Sequence, residues 1–476
     1  MKLSKSFLLH CRLCIATAVC LFAIQATAQE FPGISIRHSR LFSTYKMLKK
    51  LSEQSPDNAY KQEFLKSVYN QEKYTTGIRQ FDTLNISYYY KFEGYPDGQK
   101  LPLLSEMLIE KNLINSNTIA EFKQKTIGII PSNELGLLAK TIEIFLPVYD
   151  ELVYLPNKSG FDKQLASLQA YIDSNQLGQY FNAGLAFYHS NWDASIPFEI
   201  VIVPSIEKDG FTATAFMNEA VSELPTGFKS YDVLFSVLLH EIFHILYDEQ
   251  SLAFKQEIEQ WFQSNPSKNS QYAYLLTNEM LATALGNGFT FEQLTGKPDP
   301  GEWYHNKYIN QMAKKMYPLV RQYLLSGKAM DKAFTDAYIA AYDQYFSSWS
   351  DEPAHILTYR YILSENYEDG DFLRKRYNYI SSYQIEYPIS AEGLAQQKES
   401  PVTKVIIVSK AHKDRLLLIK RTFPELNSWK YNPAEEFIHV VTTADKTKLI
   451  IINQQQTPLD DLFEKYLRDG KLVEAK

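Results

Sequence analysis

The chain has 476 residues, of which 45% are hydrophobic, 14% aromatic and 22% charged. That length allows two or three domains, and the composition excludes a disordered, collagen-like or coiled-coil chain. A formal net charge of -6 argues against a strongly basic nucleic-acid binder.

At the N-terminus, Lys2, Lys5 and Arg12 accompany an apolar run at 14–24, and Ala26-Thr27-Ala28 reads as a small-x-small cleavage site. The run is shorter than the about 20 apolar residues that span a bilayer. Residues 1–28 are therefore expected to be a secretory signal peptide, with a mature chain from Gln29. An uncleaved anchor is the alternative reading. A lipoprotein cut before Cys20 fits less well, because Thr17-Ala18-Val19 is a poor match to a small residue just before the cysteine. Removing 1–28 takes away three basic residues and no acidic ones, which moves the formal net charge from -6 to -9. All three cysteines (Cys11, Cys14, Cys20) leave with it. The mature protein is then expected to be soluble, periplasmic or secreted, without disulfides and without a cysteine nucleophile or ligand. No later stretch is long and apolar enough for a membrane span.

Apolar residues at three- and four-residue spacing predict helices over 41–51, 60–69, 104–113, 118–126, 134–154 and 161–181. Breaks containing Pro, Gly and Asn separate them, so 29–190 reads as a helical N-terminal region. The pattern changes at 197–204 (PFEIVIVP), a β-branched strand, followed by a second at 211–216 (FTATAF). Ser230 is a candidate N-cap for a long helix at 231–248. Further helices are expected at 252–263 and at 271–285, the last stopped by Gly286-Asn287-Gly288. Asp299-Pro300-Gly301-Glu302 reads as a capping-box start for a helix to about 325, with more helix to about 347. A boundary is expected near 395–402. Beyond it, apolar runs at 404–409, 416–420, 437–443 and 448–453 predict a small α/β domain at 402–476, of about four strands and two helices. It lacks a glycine-rich phosphate loop. The fold class expected is α+β, predominantly helical, with the chemistry in 191–395.

That chemistry centres on His240-Glu241-Ile242-Phe243-His244, an HExxH sequence. Histidines at i and i+4 lie one turn apart on one helix face, so both imidazoles can reach a single ion. Neutral imidazole suits divalent zinc. The glutamate beside the first histidine can hold a metal-bound water and accept its proton. The host segment VLFSVLLHEIFHIL is apolar on nearly every side, which marks a buried helix. Unpaired polar groups in it would cost about 1–3 kcal/mol each, a cost that a metal and its water remove. The alternative is that carbonyls or carboxylates of neighbouring segments pair these side chains.

A third ligand must come from elsewhere. Position 250, six residues past His244, is Gln, so a third histidine at that spacing is absent. Glu279, in TNEMLATALGNG, lies in an apolar stripe with Tyr272, Leu275, Leu276 and Thr283. A carboxylate there is costly unless paired or bound to a cation. A buried salt bridge or an interhelix hydrogen bond is the competing explanation.

An HExxH helix followed by a helix carrying Asn-Glu-x-x-Ala resembles the gluzincin metallopeptidases, the clan of thermolysin-like enzymes and aminopeptidase N. The resemblance covers roughly residues 197–325. It implies a zincin-like core, with one zinc ion per chain held by His240, His244 and Glu279, and Glu241 as general base. It also implies that the strands at 197–216 belong to the sheet whose edge strand runs beside the substrate backbone. The 35 residues between His244 and Glu279 exceed the spacing common in the clan. The Gly-x-Met-Glu-Asn-type loop of the aminopeptidases is not visible.

Gluzincins also supply a tyrosine or histidine to the oxyanion, and Tyr304 and His305 are the nearest candidates, with ordinary packing roles as the alternative. Asp248 either orients a ligand or is a solvated helix end, and Asn278 is equally open. Tyr188, His189 and His355 are weaker candidates to enter the cleft. The function expected is an exported zinc metallopeptidase acting on a peptide or protein substrate. Two rivals stand beside it: an inactive cell-envelope scaffold on the same fold, and a zinc hydrolase of another amide or ester. Oligomeric state is not legible.

Overall fold

A computed structural model describes residues 33–472; the expected signal peptide at 1–28 lies outside the described residues. The chain opens with a short strand, β1 (Ile34–Arg37), which the sequence pattern did not mark. Helices α1 (Arg40–Leu51), α2 (Ala59–Lys66), α3 (Glu72–Asp82), α4 (Ser105–Ile114), α5 (Ile119–Thr126) and α6 (Ser132–Tyr149) follow. Ser39, Asn58 and Thr118 start three of them, each side chain accepting a backbone N–H of the first turn. Pro147 lies inside α6, which passes into a π-helical turn at Asp150–Tyr154. The expected helix at 161–181 is two helices, α7 (Leu155–Ser174) and α8 (Gly178–Tyr188), parted at Asn175–Leu177.

The first sheet lies between two cores. Its strands are β1, β2 (Phe198–Ser205), β3 (Thr214–Phe216) and β4 (Glu219–Pro225), in the order β1-β2-β4-β3. The first two pairings are parallel, and edge strand β3 runs antiparallel to β4. Alternation along the strands divides their side chains. Phe198, Ile200, Ile202, Ala220 and Leu224 join the larger core, which also holds α8 and the helices after the sheet. Val201, Val203, Val221 and Phe216 face a second core built by α1 to α6. The helical N-terminal region therefore covers one face of the sheet.

After the sheet come α9 (Tyr231–Asp248), α10 (Leu252–Ser264) and α11 (Ser270–Thr283). The Gly286-Asn287-Gly288 stop expected after α11 does not occur. The chain continues helically, through a π-helical segment at Ala284–Thr290 and an α-helical turn at Phe291–Thr295. Its glycines serve close packing instead. A β-carbon on Gly286 would stand 2.6 Å from the Cα of His240. The capping box expected at 299–302 is also corrected. Asp299 Oδ1 accepts only the N–H of Gly301, and helix α12 (Lys307–Leu325) begins at Asn306, whose side chain accepts the N–H groups of Tyr308 and Ile309. Helix α13 (Lys332–Phe346) packs on α10 and α12.

A second sheet closes the chain. It comprises β5 (Tyr359–Ser364), β6 (Ser382–Glu386), β7 (Thr403–Val408), β8 (Phe437–Thr442) and β9 (Lys448–Asn453), in the order β8-β9-β7-β5-β6. Central strand β7 pairs in parallel with β5 and β9. The sheet thus joins strands from both sides of the boundary expected near 395–402. The run at 416–420, grouped with the strand-like segments, lies in a helix, Arg415–Thr422, whose Leu416 and Ile419 turn inward at three-residue spacing. The architecture is α+β and mostly helical; among the described residues, two two-stranded pairings, Tyr89–Tyr90 with Leu103–Leu104 and Leu467–Arg468 with Lys471–Leu472, accompany the two main sheets.

Where β4 meets the N-terminal helices, Glu219 is fully buried. Burial pushes its carboxyl up to about 7, only partly offset by Lys111 and by the amide of Asn115. Between pH 4.5 and 7 the unfolded chain ionises this group while the folded chain keeps it protonated, so stability falls as pH rises through that window. Replacing Glu219 with Gln is expected to remove this loss of stability, on the order of 3 kcal/mol between pH 4.5 and 7, read from urea denaturation across that pH range.

Candidate metal centre

Helix α9 is apolar enough to be buried along most of its length, from Leu234 to Tyr247. His240 and His244, four residues apart, bring their Nε2 atoms to 3.1 Å. Glu279 enters from α11, its Oε2 3.5 Å from His244 Nε2 and 3.9 Å from His240 Nε2. The candidate ligand atoms of the three residues all lie within 4.8 Å of one another. A tetrahedral zinc with bonds near 2.0–2.1 Å separates its ligand atoms by about 3.3 Å, close to these distances. Glu279 Oε2 is buried and accepts no hydrogen bond, as befits an atom left for a cation. Among the described residues, Glu279 lies in salt-bridge range of His240 and His244 and of no lysine or arginine.

A further side chain sets the tautomer of His244. Asn278 Oδ1 lies 2.9 Å from His244 Nδ1. An amide oxygen only accepts, so it holds a proton on Nδ1 and leaves the Nε2 lone pair facing Glu279. The His240 ring lies near Ala282 and Asn287, and its Nδ1 is buried without a hydrogen-bond partner. Asn287 belongs to the π-helical segment, which reaches His240 because Gly286 carries no β-carbon. π-Helical insertions of this kind often mark functional sites.

The electrostatics follow from burial and mutual charge. Burial pulls His240 down to about 3, with His244 adding to the effect. Burial would lower His244 as well, but Glu279 outweighs it and holds the imidazole at about 9. Burial would raise Glu279, yet His244, His240 and Tyr304 hold it at about 2. These opposite shifts make His244 and Glu279 an ion pair when no cation is present, and a cation bound at Nε2 displaces that proton. Burial pushes Glu241 up to about 7, into the range of a working general base.

Tyr304 and His305 lie in the loop before α12 rather than in its first turn. The loop is fixed by Trp303, whose backbone N–H donates to Asn310 Oδ1 and whose indole donates to the Asp299 carbonyl. Tyr304 stacks on His240 at 5.7 Å between ring centroids, and its hydroxyl faces Glu279. His305 is exposed and stacks on Tyr304 in turn.

Asp248 does neither task considered for it. It accepts from Lys100 Nζ at 2.6 Å and from the backbone N–H of Leu101 at 2.7 Å, tying the segment before α4 to the end of α9. His189 caps α8 in a left-handed conformation and packs on Phe254, while Tyr188 packs on Tyr247. His355 is buried against Tyr342. These three stay out of the cluster.

Sequence reasoning missed Tyr379 and Tyr359. The hydroxyl of Tyr379 lies 3.3 Å from that of Tyr304. Burial, with the charge on Glu279 adding to it, raises the phenol pKa of Tyr359 and pushes that of Tyr379 up to about 12. Tyr359 begins β5 and is buried, and Tyr379 lies in the loop before β6. Among 33 tyrosines in the chain, no local pattern singles them out.

Comparison with protein-family models, with curated proteins and with solved structures returns no match to the chain.

Asn278→Ala removes the acceptor that orients His244, and is expected to weaken zinc binding by about 10- to 100-fold, measured by competition with a chromogenic chelator. Gly286→Ala places a methyl against the His240 backbone. It is expected to lower the melting temperature and to abolish stoichiometric zinc uptake, whereas Gly136→Ala, at a helical site with open space around it, is expected to leave zinc uptake unchanged.

Proposed function

We propose that this chain is an exported zinc metallopeptidase of the gluzincin type, with one zinc per chain. His240, His244 and Glu279 are its ligands and Glu241 is its general base. The observation that carries this reading is the convergence of three donor atoms, from two helices, beside the glutamate of an HExxH sequence. Zinc bound there supplies Lewis acidity toward a peptide carbonyl and toward water.

The remaining roles fall to the protein. Glu241, kept from full solvation, takes a proton at its carboxylate during attack and passes it to the leaving amine. Asn278 keeps the His244 ring in the ligating tautomer. The Tyr304 phenol, its pKa raised first by burial and then by Glu279, stays protonated and is a hydrogen-bond donor available to an oxyanion. The antiparallel edge strand β3 packs on α9, a placement suited to holding an extended substrate backbone. Export rests on the signal-like residues 1–28. Among the described residues, no helix is long and apolar enough to cross a membrane.

Glu241→Gln separates binding from chemistry. The variant is expected to keep one zinc per chain and to lose about 10²- to 10⁴-fold in kcat on peptides. A wild type and variant equally inert on a broad peptide library would count against the peptidase reading and favour a scaffold. Turnover of esters or non-peptide amides alone would move the site to another hydrolase class.

A further inference from the structure

Four strands of the second sheet, β6, β5, β7 and β9, run parallel, and β8 pairs antiparallel at the edge. From β5 the chain crosses to β6 on one side, then returns past β5 to β7 on the other. Helix α14 (Tyr367–Arg376) makes the first crossing and α15 (Ala391–Glu399) the second. Adjacent residues of β5 show which face each covers. A β-carbon on Gly370 of α14 would meet Ile362, whereas one on Gly393 of α15 would meet Leu363. Neighbouring residues of a strand point to opposite faces, so α14 and α15 cover opposite faces. Helix α16 (Arg415–Thr422), which follows β7, packs on α15. The chain therefore leaves the carboxyl ends of β5 and β7 toward opposite faces, and in open α/β sheets ligands bind in the crevice at such a divergence.

Oppositely charged side chains meet at that crevice. Glu365 is the first residue after β5, and only 4% of its side chain is exposed. His412 and Arg415 come from the chain after β7. His412 Nδ1 lies 3.6 Å from Glu365 Oε2, and Arg415 Nε lies 3.6 Å from Glu365 Oε1. Charge-assisted hydrogen bonds close to about 2.7–2.9 Å, and neither contact does. Glu365 Oε1 and Arg415 Nε are both buried without a hydrogen-bond partner. Burial raises the Glu365 carboxyl, and His412 and Arg415 offset this only in part. Buried polar atoms are ordinarily paired; here the carboxylate lacks a donor and the guanidinium Nε lacks an acceptor. At the same end of the sheet, Tyr367 and Tyr387 are exposed, their ring centroids 6.3 Å apart.

We propose that this crevice binds a free α-amino acid with an apolar or aromatic side chain: its ammonium on Glu365, its carboxylate on Arg415 and His412, and its side chain against Tyr367 and Tyr387. An α-amino acid carries its ammonium and its carboxylate on one carbon, which matches a carboxylate and a guanidinium held a few ångströms apart. A simple anion would face Glu365, and a simple cation would face Arg415. The site lies outside the HExxH cluster and stands independently of peptide hydrolysis there.

The test uses the full mature chain and isothermal titration calorimetry. The probes are L-phenylalanine and L-leucine, beside N-acetyl-L-phenylalanine, which lacks the ammonium, and L-phenylalaninamide, which lacks the carboxylate. The free amino acids are expected to bind at one site per chain, at least about 10-fold more tightly than either blocked form, the scale of one hydrogen bond to a charged group. Glu365→Gln, close to the same shape, and Arg415→Gln, at a partly exposed side chain, are each expected to weaken L-phenylalanine binding by at least about 10-fold. If Glu365→Gln fails to fold, Arg415→Gln decides alone. His240→Ala, which disrupts the metal centre, is expected to leave this binding unchanged. Binding that His240→Ala removes, or that both crevice variants keep, overturns the proposal. Equal binding of free and blocked forms, or no binding of either amino acid at millimolar concentration, also overturns it and leaves Glu365 and Arg415 as a structural ion pair.

Discussion

The site depends on one close approach, the backbone of the π-helical segment after α11 against the backbone of His240. Two helices can offer ligands to one point only if their axes come near enough for short side chains to meet. Glu279 and Asn278 are short, and they meet His240 and His244 because the segment that follows them presses on α9 without a β-carbon at Gly286. A side chain there would wedge the helices apart at the residue that has to stay in place. The same approach carries Asn287 toward the His240 ring. The glycine pair that resembles a helix terminator is therefore a packing device, and the helix pays for it with a π-helical turn.

The rest of the molecule holds that junction in place. Helix α9 is buried by α8 and the first sheet on one side and by α11 and the π-helical segment after it on others. The sheet is backed in turn by the N-terminal helices, which own the opposite side of its strands. A rigid support on both faces lets β3 stand as an ordered free edge beside α9. The second sheet sends Tyr379 and Tyr359 toward Glu279. On the proposed reading, the N-terminal region, the central helices and the C-terminal sheet each supply part of one cleft.

What was legible in the sequence was local. HExxH sets two candidate ligands by helix period alone, and α9 was expected with its observed bounds because its apolar residues run from end to end. Glu279 was legible because a carboxylate in an apolar stripe demands a reason. The strand at 198–205 was legible from its β-branched run. Features that depend on contacts between distant segments were not. Strand β4 (EAVSELP) alternates too weakly to announce itself, and β1 is four residues long. The start of α12 was placed too early because Asp299 and Asn306 are both competent caps, and only tertiary contacts at Trp303 and Asn310 decide between them. The Gly-Asn-Gly reading failed for a related reason: glycine spells both chain termination and close packing, and the difference lies in the partner helix.

The central claim is that these side chains form a zinc site, and metal content tests it most directly. The mature chain, purified and dialysed without chelator, would be assayed by elemental analysis beside His240→Ala, His244→Ala and Glu279→Ala. The account predicts about one zinc per wild-type chain, loss with either histidine variant and reduced occupancy with Glu279→Ala. A wild-type chain that holds no zinc and takes up none when it is added would contradict it. The cluster would then be a buried hydrogen-bonding arrangement of histidine and glutamate.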